Sequence, residues 1–434
     1  MRSLAICGVL LVTAVLAAQT CPDPPVPSVS SPNPPADVCI PRGFTDFTID
    51  FFDDYSWRTF VALIFPASGS SVNAPKSLDA PGPRNFETWA PLWAIFHEDG
   101  SPPGVAAGYN ACSAKTDSGD IVLASFSRFG DIGQQGDGAL LAPLAAQNGR
   151  YVRYLNAYNR VAYDHIVTNQ WYLRSHLPQV PVPRPSVPPV QFPDGSITVK
   201  SAWVEMTGFN DAQRARFYTR TAIVLDPGTG KCGKKTVGLV GLHIVQKTAS
   251  RPQWIWSSFE QIDNVPPALP GSSGKFTFHD GTDDSMPDVN PLALLPLARQ
   301  PVKPFNVVRS PRLPIHPKTV ATNARYRKLL QGTVWRNYQL VVTQWPLSPG
   351  DQSVPVPASQ EGDIFETFPG DGATSAFANM AMETFNQSRP AQGCMNCHNR
   401  ARLTADFMWS VFEHAYPARI NLPDKLSPPD KRVP

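Results

Sequence analysis

The chain has 434 residues, of which 42% are hydrophobic and 17% charged, so it can build a large core and is not wholly disordered. Its 38 Lys and Arg against 35 Asp and Glu leave a net charge of +3, too weak for the basic surface of a nucleic-acid-binding protein. The 47 prolines, roughly twice the average usage, argue against a helical bundle and favour short strands, extended connectors and long loops.

The N-terminus carries an export signal. Arg2 precedes an apolar run from Leu4 to Ala18 that ends in small residues, which is typical of a secretory signal peptide. We therefore predict that residues 1–18 are removed and that the protein is periplasmic or secreted. The run is too short to span a bilayer comfortably, so we predict no stable membrane insertion after cleavage. A retained membrane anchor, or a lipid anchor at Cys21, is the alternative.

Cysteine usage agrees with export. Loss of the signal peptide removes Cys7. Two of the remaining six cysteines, Cys394 and Cys397, belong to a motif described below. The other four are Cys21, Cys39, Cys112 and Cys232. An even set in an oxidising compartment predicts two disulfides, with three possible pairings. We favour Cys21–Cys39, which closes a small loop, together with Cys112–Cys232; free buried thiols are the alternative.

The predicted elements begin with a proline-rich, extended leader over 19–41, pinned by the Cys21–Cys39 bridge. Apolar residues at helical spacing then predict a helix over 50–65 and a short one within 86–97. A strand is expected over 120–128, and a long helix over 149–173, where an apolar stripe recurs at helical spacing.

The middle of the chain changes period. Strands are predicted over 197–204, 216–225, 237–248 and 253–262, with a fifth over 337–345. Proline-rich connectors are expected over 178–193 and 296–317, and helices over 374–385 and 403–416. The prediction is an α+β protein: a mostly antiparallel sheet with peripheral helices forms a body over 42–370. A short helical C-terminal segment over 374–420 packs on it.

One motif is more specific than any other, Cys394-Met395-Asn396-Cys397-His398. The C-x-x-C-H spacing allows two thiols to reach the two vinyl groups of a porphyrin edge, and it places the histidine under the iron. The alternatives are a redox pair, which usually sits near a βαβ pattern, and half of a zinc site. A zinc site needs further Cys or His ligands nearby, and His414 alone meets that need.

Through this motif the segment over 374–416 resembles the c-type cytochromes. The resemblance implies one covalent haem c, attached through Cys394 and Cys397, with His398 as the proximal iron ligand. Two further stretches, GLVGLHIVQKT and WIWSSFEQIDNVP, resemble those of larger exported proteins with one C-terminal haem motif. The chain departs from small cytochromes because only 36 residues follow His398, too few to wrap a haem. We therefore expect the body to complete the pocket.

Other ligands are expected near the haem. Arg400 and Arg402 are candidates for pairing with its propionates, and Met408 is the favoured distal iron ligand. The alternatives for the sixth position are His414, Met380, Met382, a body histidine such as His243, or an open site. A methionine raises the potential and suits electron transfer, whereas an open site permits peroxide or oxygen chemistry.

Three functions follow from these expectations. The first is electron transfer with a periplasmic redox partner that the sequence does not name. The second is a peroxidase- or oxygenase-like haem enzyme with an open iron site. The third is a body that binds a ligand and uses the haem as an electron outlet.

Overall fold

A computed structural model describes most of the chain that follows the predicted signal peptide. The described residues are 21–41, 49–67, 78–104, 112, 121–123, 144–179, 189–226, 229, 231–267, 275–282, 304, 306–311, 313–346, 377–384, 387, 393–394, 398 and 401–417. The predicted signal peptide, Cys397 and Arg400 lie outside them.

The described residues form an α+β fold, as predicted. The helices are α1 (Ile49–Ile64), α2 (Leu92–Ile95), α3 (Arg160–Thr168), α4 (Asp211–Arg214), α5 (Pro317–Leu329), α6 (Arg402–Ala405) and α7 (Trp409–His414). The strands are β1 (Ala90–Pro91), β2 (Ile121–Leu123), β3 (Arg153–Tyr158), β4 (Ile197–Glu205), β5 (Thr219–Asp226), β6 (Lys231–Thr248), β7 (Arg251–Gln261) and β8 (Tyr338–Gln344). Short 3₁₀ turns cover Asn85–Thr88, Arg174–His176 and Val334–Asn337.

All eight strands join one sheet that is organised by β6. This long strand pairs with β4 along one edge, and with β5 and then β7 along the other. The remaining order is β1-β3-β4 on one side, β2 beside β5, and β8 beside β7; only β2 and β5 run parallel. The registers place alternate side chains of every strand on opposite faces.

The first face of the sheet packs against α1 and α5. Their contact contains buried aromatic and aliphatic side chains, including Trp57 and Phe60 of α1 and Phe259 of β7. The Trp57 ring stacks 5.0 Å from the Tyr326 ring of α5, and its indole N–H donates to the Asn323 side-chain oxygen at 2.9 Å. The second face carries the C-terminal segment and is described with the site.

Both predicted disulfides are confirmed. Cys21–Cys39 and Cys112–Cys232 have Cα separations of 5.5 and 5.3 Å. The leader over 21–41 is extended, as expected, and lies against the body: the Gln246 side chain donates to the Pro35 carbonyl at 2.8 Å. Such disulfides fit a protein that folds in an oxidising compartment.

The sequence prediction is wrong over 149–173, where a single helix was expected. The structure has β3 and then α3, separated at Asn159. The side-chain oxygen of Asn159 accepts from the Ala162 N–H at 3.1 Å and from the Ile197 N–H at 3.0 Å, so it caps α3 and ties it to β4. Apolar spacing alone could not separate the two periods, because Tyr154, Ala157 and Tyr158 are buried in either one.

The sequence analysis missed helix α5, as it did the single turn of α4. Helix α5 buries Thr319, Thr322, Asn323 and Tyr326 rather than an aliphatic stripe, so its hydrophobic period is weak. The features that indicate this helix lie at its N-terminus. Pro317 stands in the first turn, and the His316 ring accepts from the Lys318 N–H.

Other predicted boundaries also change. The helix over 50–65 and the five strands predicted between 197 and 345 are confirmed, with shifted ends. Strand β6, for example, begins at Lys231 rather than at 237. The helix within 86–97 is divided into a 3₁₀ turn, β1 and α2, and the strand over 120–128 is described only as β2. Residues 377–384 form turns instead of the predicted helix, and the helix over 403–416 is broken between α6 and α7. No helix in the described part of the chain is long and apolar enough to cross a membrane.

A buried carboxyl joins α1, α5 and β8. The Thr319 and Thr343 hydroxyls donate to the two oxygens of Asp53 at 2.7 and 2.8 Å. Ser56 lies 2.8 Å from the Thr343 hydroxyl and 2.7 Å from that of Ser257, so a chain of hydroxyls connects the helices to the sheet. Burial raises the pKa of Asp53 to about 7, although both hydroxyls oppose the rise.

We predict that Asp53→Asn removes a pH-dependent loss of folding stability. The folded protein holds a proton on Asp53 that the unfolded chain releases above about pH 4, so stability falls from pH 4 to 7 and is level above. A pKa moved from 3.8 to about 7 corresponds to about 4 kcal/mol at about 1.36 kcal/mol per pH unit. Asp53→Asn should therefore be more stable than wild type at pH 8 by up to that amount, measured by urea unfolding.

Asp164→Asn, in an exposed ion pair with Arg160, is the control and should change the free energy of unfolding little. An Asp53→Asn protein that is less stable than wild type at pH 8 would contradict this account.

Candidate functional site

The second face of the sheet carries a polar row between two apolar clusters. Strand register places Lys200 of β4 beside His243 of β6, and His243 beside Ser258 of β7. On one side of this row the face is apolar around Val245 and Trp256. On the other side it is apolar around Ala202, Val204 and Val240. The row is thus the place where polar side chains meet the segment that covers this face.

Residues 377–384 are held on this face by a buried charge pair. The Glu260 carboxylate of β7 pairs with the Arg309 guanidinium and also accepts from the Met380 N–H at 2.9 Å. Arg309 in turn donates to the Ala378 carbonyl at 2.5 Å. Both side chains are nearly completely buried, so their charges depend on each other and on these backbone contacts.

Asn379 explains why this stretch is not a helix. Its side-chain N–H groups donate to the Ser258 hydroxyl at 3.1 Å and to the Phe259 carbonyl at 2.8 Å. Its side-chain oxygen accepts from the Ala381 N–H at 2.9 Å. An asparagine that satisfies nearby backbone groups in this way competes with helical hydrogen bonding. The approach is close: a Cβ on Gly241 would lie 3.2 Å from the Ala381 Cβ, so a side chain at this position of β6 would be crowded by the segment.

The two described residues of the C-x-x-C-H motif lie on the same face. The Cys394 N–H donates to the Gln344 side chain of β8 at 2.8 Å, and Cys394 packs at the edge of the cluster that contains Trp254, Trp256 and Met408. Cys394 belongs to neither disulfide. The His398 ring lies 4.6 Å from the ring of Trp256.

His398 is fixed as a neutral imidazole. Its Nδ1 lies 2.8 Å from the Phe407 carbonyl oxygen, which can only accept, so Nδ1 carries the proton. Burial lowers the pKa of His398 to about 4; the Phe407 carbonyl opposes this, and the charges of His243 and Lys200 add to it. The lone pair is therefore on Nε2, which has no hydrogen-bond partner among the described residues. This is the tautomer that a histidine needs to ligate a metal through Nε2.

A second histidine lies on the sheet nearby. His243 Nε2 is 3.3 Å from a carboxylate oxygen of Glu383, and the other oxygen of Glu383 accepts from the Asn379 N–H at 3.0 Å. Residues 377–384 form the covering segment of this face, and Glu383 connects that segment to the polar row. His243 and Glu383 are each mostly buried, with side-chain exposures of 15% and 13%.

The other predicted site residues are dispersed around this centre. Arg402 is buried at the start of α6, and His414 is buried at the end of α7, 6.2 Å from the Phe96 ring. Met380 and Met382 are buried in the cluster around Val240. Met408 directly follows Phe407, so its backbone lies on the Nδ1 side of His398.

Sequence reasoning missed the side chains that organise the site. Lys200, Glu383, Lys247 and Asp406 were not singled out, because none belongs to a motif and each is distant in sequence from most of its partners. The one usable signal was Lys247, a charged residue soon after the largely apolar stretch Val237–Val245 of β6. A scan against protein-family models found no match to this chain, and searches of curated proteins and of solved structures also found none.

We predict that Glu260→Ala detaches the covering segment. It leaves the buried Arg309 charge unpaired and removes the acceptor of the Met380 N–H, so the free energy of unfolding should fall by about 3–5 kcal/mol. Urea unfolding measures the loss, and increased hydrogen exchange at 377–384 locates it.

The matched control is Arg160→Ala, which breaks an exposed ion pair on α3 and should cost less than about 0.5 kcal/mol. Equal losses in the two variants would show that the Glu260–Arg309 pair does not anchor the segment.

Proposed function

We propose that this chain is an exported protein that carries one covalently bound haem c and transfers electrons to or from a redox partner. The observation that carries the proposal is His398 itself. It lies half-buried beside Trp256 with its Nδ1 proton committed to the Phe407 carbonyl, which leaves Nε2 as the donor atom. This is the tautomer that an iron-ligating histidine in a C-x-x-C-H motif would need.

The surroundings of His398 fit a haem. Cys394 and Cys397 would hold it covalently, and His398 would supply the proximal nitrogen. When bound, the group supplies a one-electron iron couple. The chain's own contribution is to orient His398 and to surround the site with tryptophan, phenylalanine and methionine side chains, which exclude water. The apolar cluster and the neutral imidazole are the chemistry that such a ligand set requires.

Export is part of the same proposal. The N-terminal pattern of Arg2 and the following apolar run, together with two disulfides, supports a periplasmic or secreted location. Haem attachment to a C-x-x-C-H motif and disulfide formation would then take place in the same oxidising compartment.

The position of Met408 bears on whether a bound iron would have a second protein ligand. Met408 follows the residue whose carbonyl accepts from His398 Nδ1, so its backbone lies on the side of His398 away from Nε2. His243 would be the better candidate, because it lies in the polar row of the sheet between Lys200 and Ser258. A second protein ligand would suit electron transfer, because little would rearrange when the charge changes.

The second candidate function uses the same residue differently. If His243 keeps its contact with Glu383 and does not ligate the iron, the pair forms a histidine–carboxylate couple that can take and return a proton near an open site. Lys200 adds a positive charge in the same row. That arrangement would suit a peroxidase-like enzyme.

We predict that the holoprotein shows one reversible one-electron couple and that its ferrous form binds carbon monoxide slowly. His243→Ala should open the sixth position, so carbon monoxide binding becomes rapid and the ferric spectrum changes toward high spin. Met408→Leu is the matched control and should leave both properties unchanged, as measured by redox titration and stopped-flow absorbance.

Rapid carbon monoxide binding by the wild type, with turnover of peroxide, would favour the enzyme instead. Opening of the site by Met408→Leu rather than His243→Ala would return the ligand to the residue favoured from the sequence.

A further inference from the structure

The Phe407 carbonyl reaches His398 because the chain takes an unusual turn. Helix α6 ends at Ala405, and the next two residues adopt left-handed backbone conformations, with φ of 48° at Asp406 and 70° at Phe407. Non-glycine residues seldom adopt this conformation; aspartate tolerates it, whereas a bulky phenylalanine is a rare occupant. Two such residues in succession carry a conformational cost that the surroundings must offset.

A buried ion pair supplies that support. One Asp406 oxygen accepts from the Lys247 ammonium at 2.5 Å and from the Phe192 N–H at 2.9 Å. The side chains of Lys247 and Asp406 are only 5% and 2% exposed. Lys247 stands at the end of β6, and its Nζ also lies 5.7 Å from the centre of the Trp254 ring. The pair therefore connects the rigid sheet to the turn.

The left-handed pair has two visible consequences. It closes the end of α6, because the Asp406 N–H donates to the Arg402 carbonyl at 3.1 Å, the Phe407 N–H to the Ala401 carbonyl at 3.3 Å and the Met408 N–H to the Ala405 carbonyl at 2.8 Å. It also directs the Phe407 carbonyl toward His398 Nδ1, which donates to it.

We propose that the Lys247–Asp406 ion pair positions His398, the haem ligand. The pair fixes the turn that directs the Phe407 carbonyl toward His398 Nδ1. The inference rests on the proposed function and extends it to the control of reduction potential. A histidine whose Nδ1 proton is held by an acceptor is a more basic ligand, and a more basic ligand stabilises the ferric state. Lys247 and Asp406 thus lower the potential through His398 without touching the iron.

The direction of the shift in reduction potential tests this inference, because the two members of the pair carry opposite charges. Loss of either partner loosens the turn and weakens the Nδ1 contact, so Asp406→Ala and Lys247→Met should both raise the potential. A purely electrostatic role predicts opposite shifts, because one variant removes a negative charge and the other a positive charge. We expect a change of about tenfold in the ratio of ferric to ferrous protein at a fixed potential, or about 59 mV for a one-electron couple.

Asp406→Asn is the conservative variant. Asparagine tolerates the left-handed conformation, and its side-chain oxygen can still accept from Lys247 and Phe192, so most of the wild-type potential should be retained. Glu205→Ala is the structural control, because it breaks another buried pair, Arg153–Glu205, at the end of β4. It should lower stability without moving the potential.

The measurement is a redox titration of the purified holoproteins, with electron paramagnetic resonance of the ferric forms as a second readout of the orientation of His398. Shifts of opposite sign, or unchanged potentials and resonance in both variants with haem attached, would overturn the inference. If Asp406→Ala does not accumulate, the sign of the Lys247→Met shift decides alone. Wild-type protein that carries no covalent haem would instead refute the proposed function, so the two failures are distinguishable.

Discussion

Burial of both faces of one sheet is the constraint on which this molecule depends. The central strands β4, β6 and β7 carry apolar side chains on both faces, and a face left open to water would lose the burial that stabilises the sheet. Helices α1 and α5 cover the first face. The described parts of the C-terminal segment, residues 377–384 and 401–417, contribute buried side chains to the clusters on the second face, so they are part of the core.

The site follows from how that cover is fastened. Two apolar clusters seal the face on either side of the row formed by Lys200, His243 and Ser258. The covering segment contacts this row through Asn379, which donates to the Ser258 hydroxyl, and through Glu383, which lies 3.3 Å from His243 Nε2. The C-terminal segment also brings in His398, whose Nδ1 is satisfied by the Phe407 carbonyl. Polar groups that folding must pair are therefore gathered near His398, and this is where a metal cofactor would be influenced most.

The fold could be predicted where sequence period and spacing are unambiguous. Sequence pattern was enough to predict the strands with alternating apolar residues, the helix over 50–65 and both disulfides. The boundary between β3 and α3 within 149–173 could not be predicted, because the spacing of Tyr154 and Tyr158 fits either period and the deciding contact, between Asn159 and Ile197, is tertiary. Helix α5 was missed because its buried side is polar.

The candidate site divides in the same way. Its motif is contiguous in sequence and could be identified from spacing alone. Its supports could not, since Lys247 and Asp406 are 159 residues apart and meet only in the folded chain. A left-handed conformation at Phe407 is also invisible to sequence reasoning, because nothing about phenylalanine favours it.

The central claim is that two motif cysteines hold one haem, and intact-mass spectrometry under denaturing conditions tests it most directly. The full chain should be produced in a host that exports it and attaches haem to C-x-x-C-H motifs. The account predicts a polypeptide mass increased by one haem, with two disulfides intact. Cys394→Ala together with Cys397→Ala should lack that increase. A wild-type chain with the bare polypeptide mass and two alkylatable thiols at Cys394 and Cys397 would contradict the account.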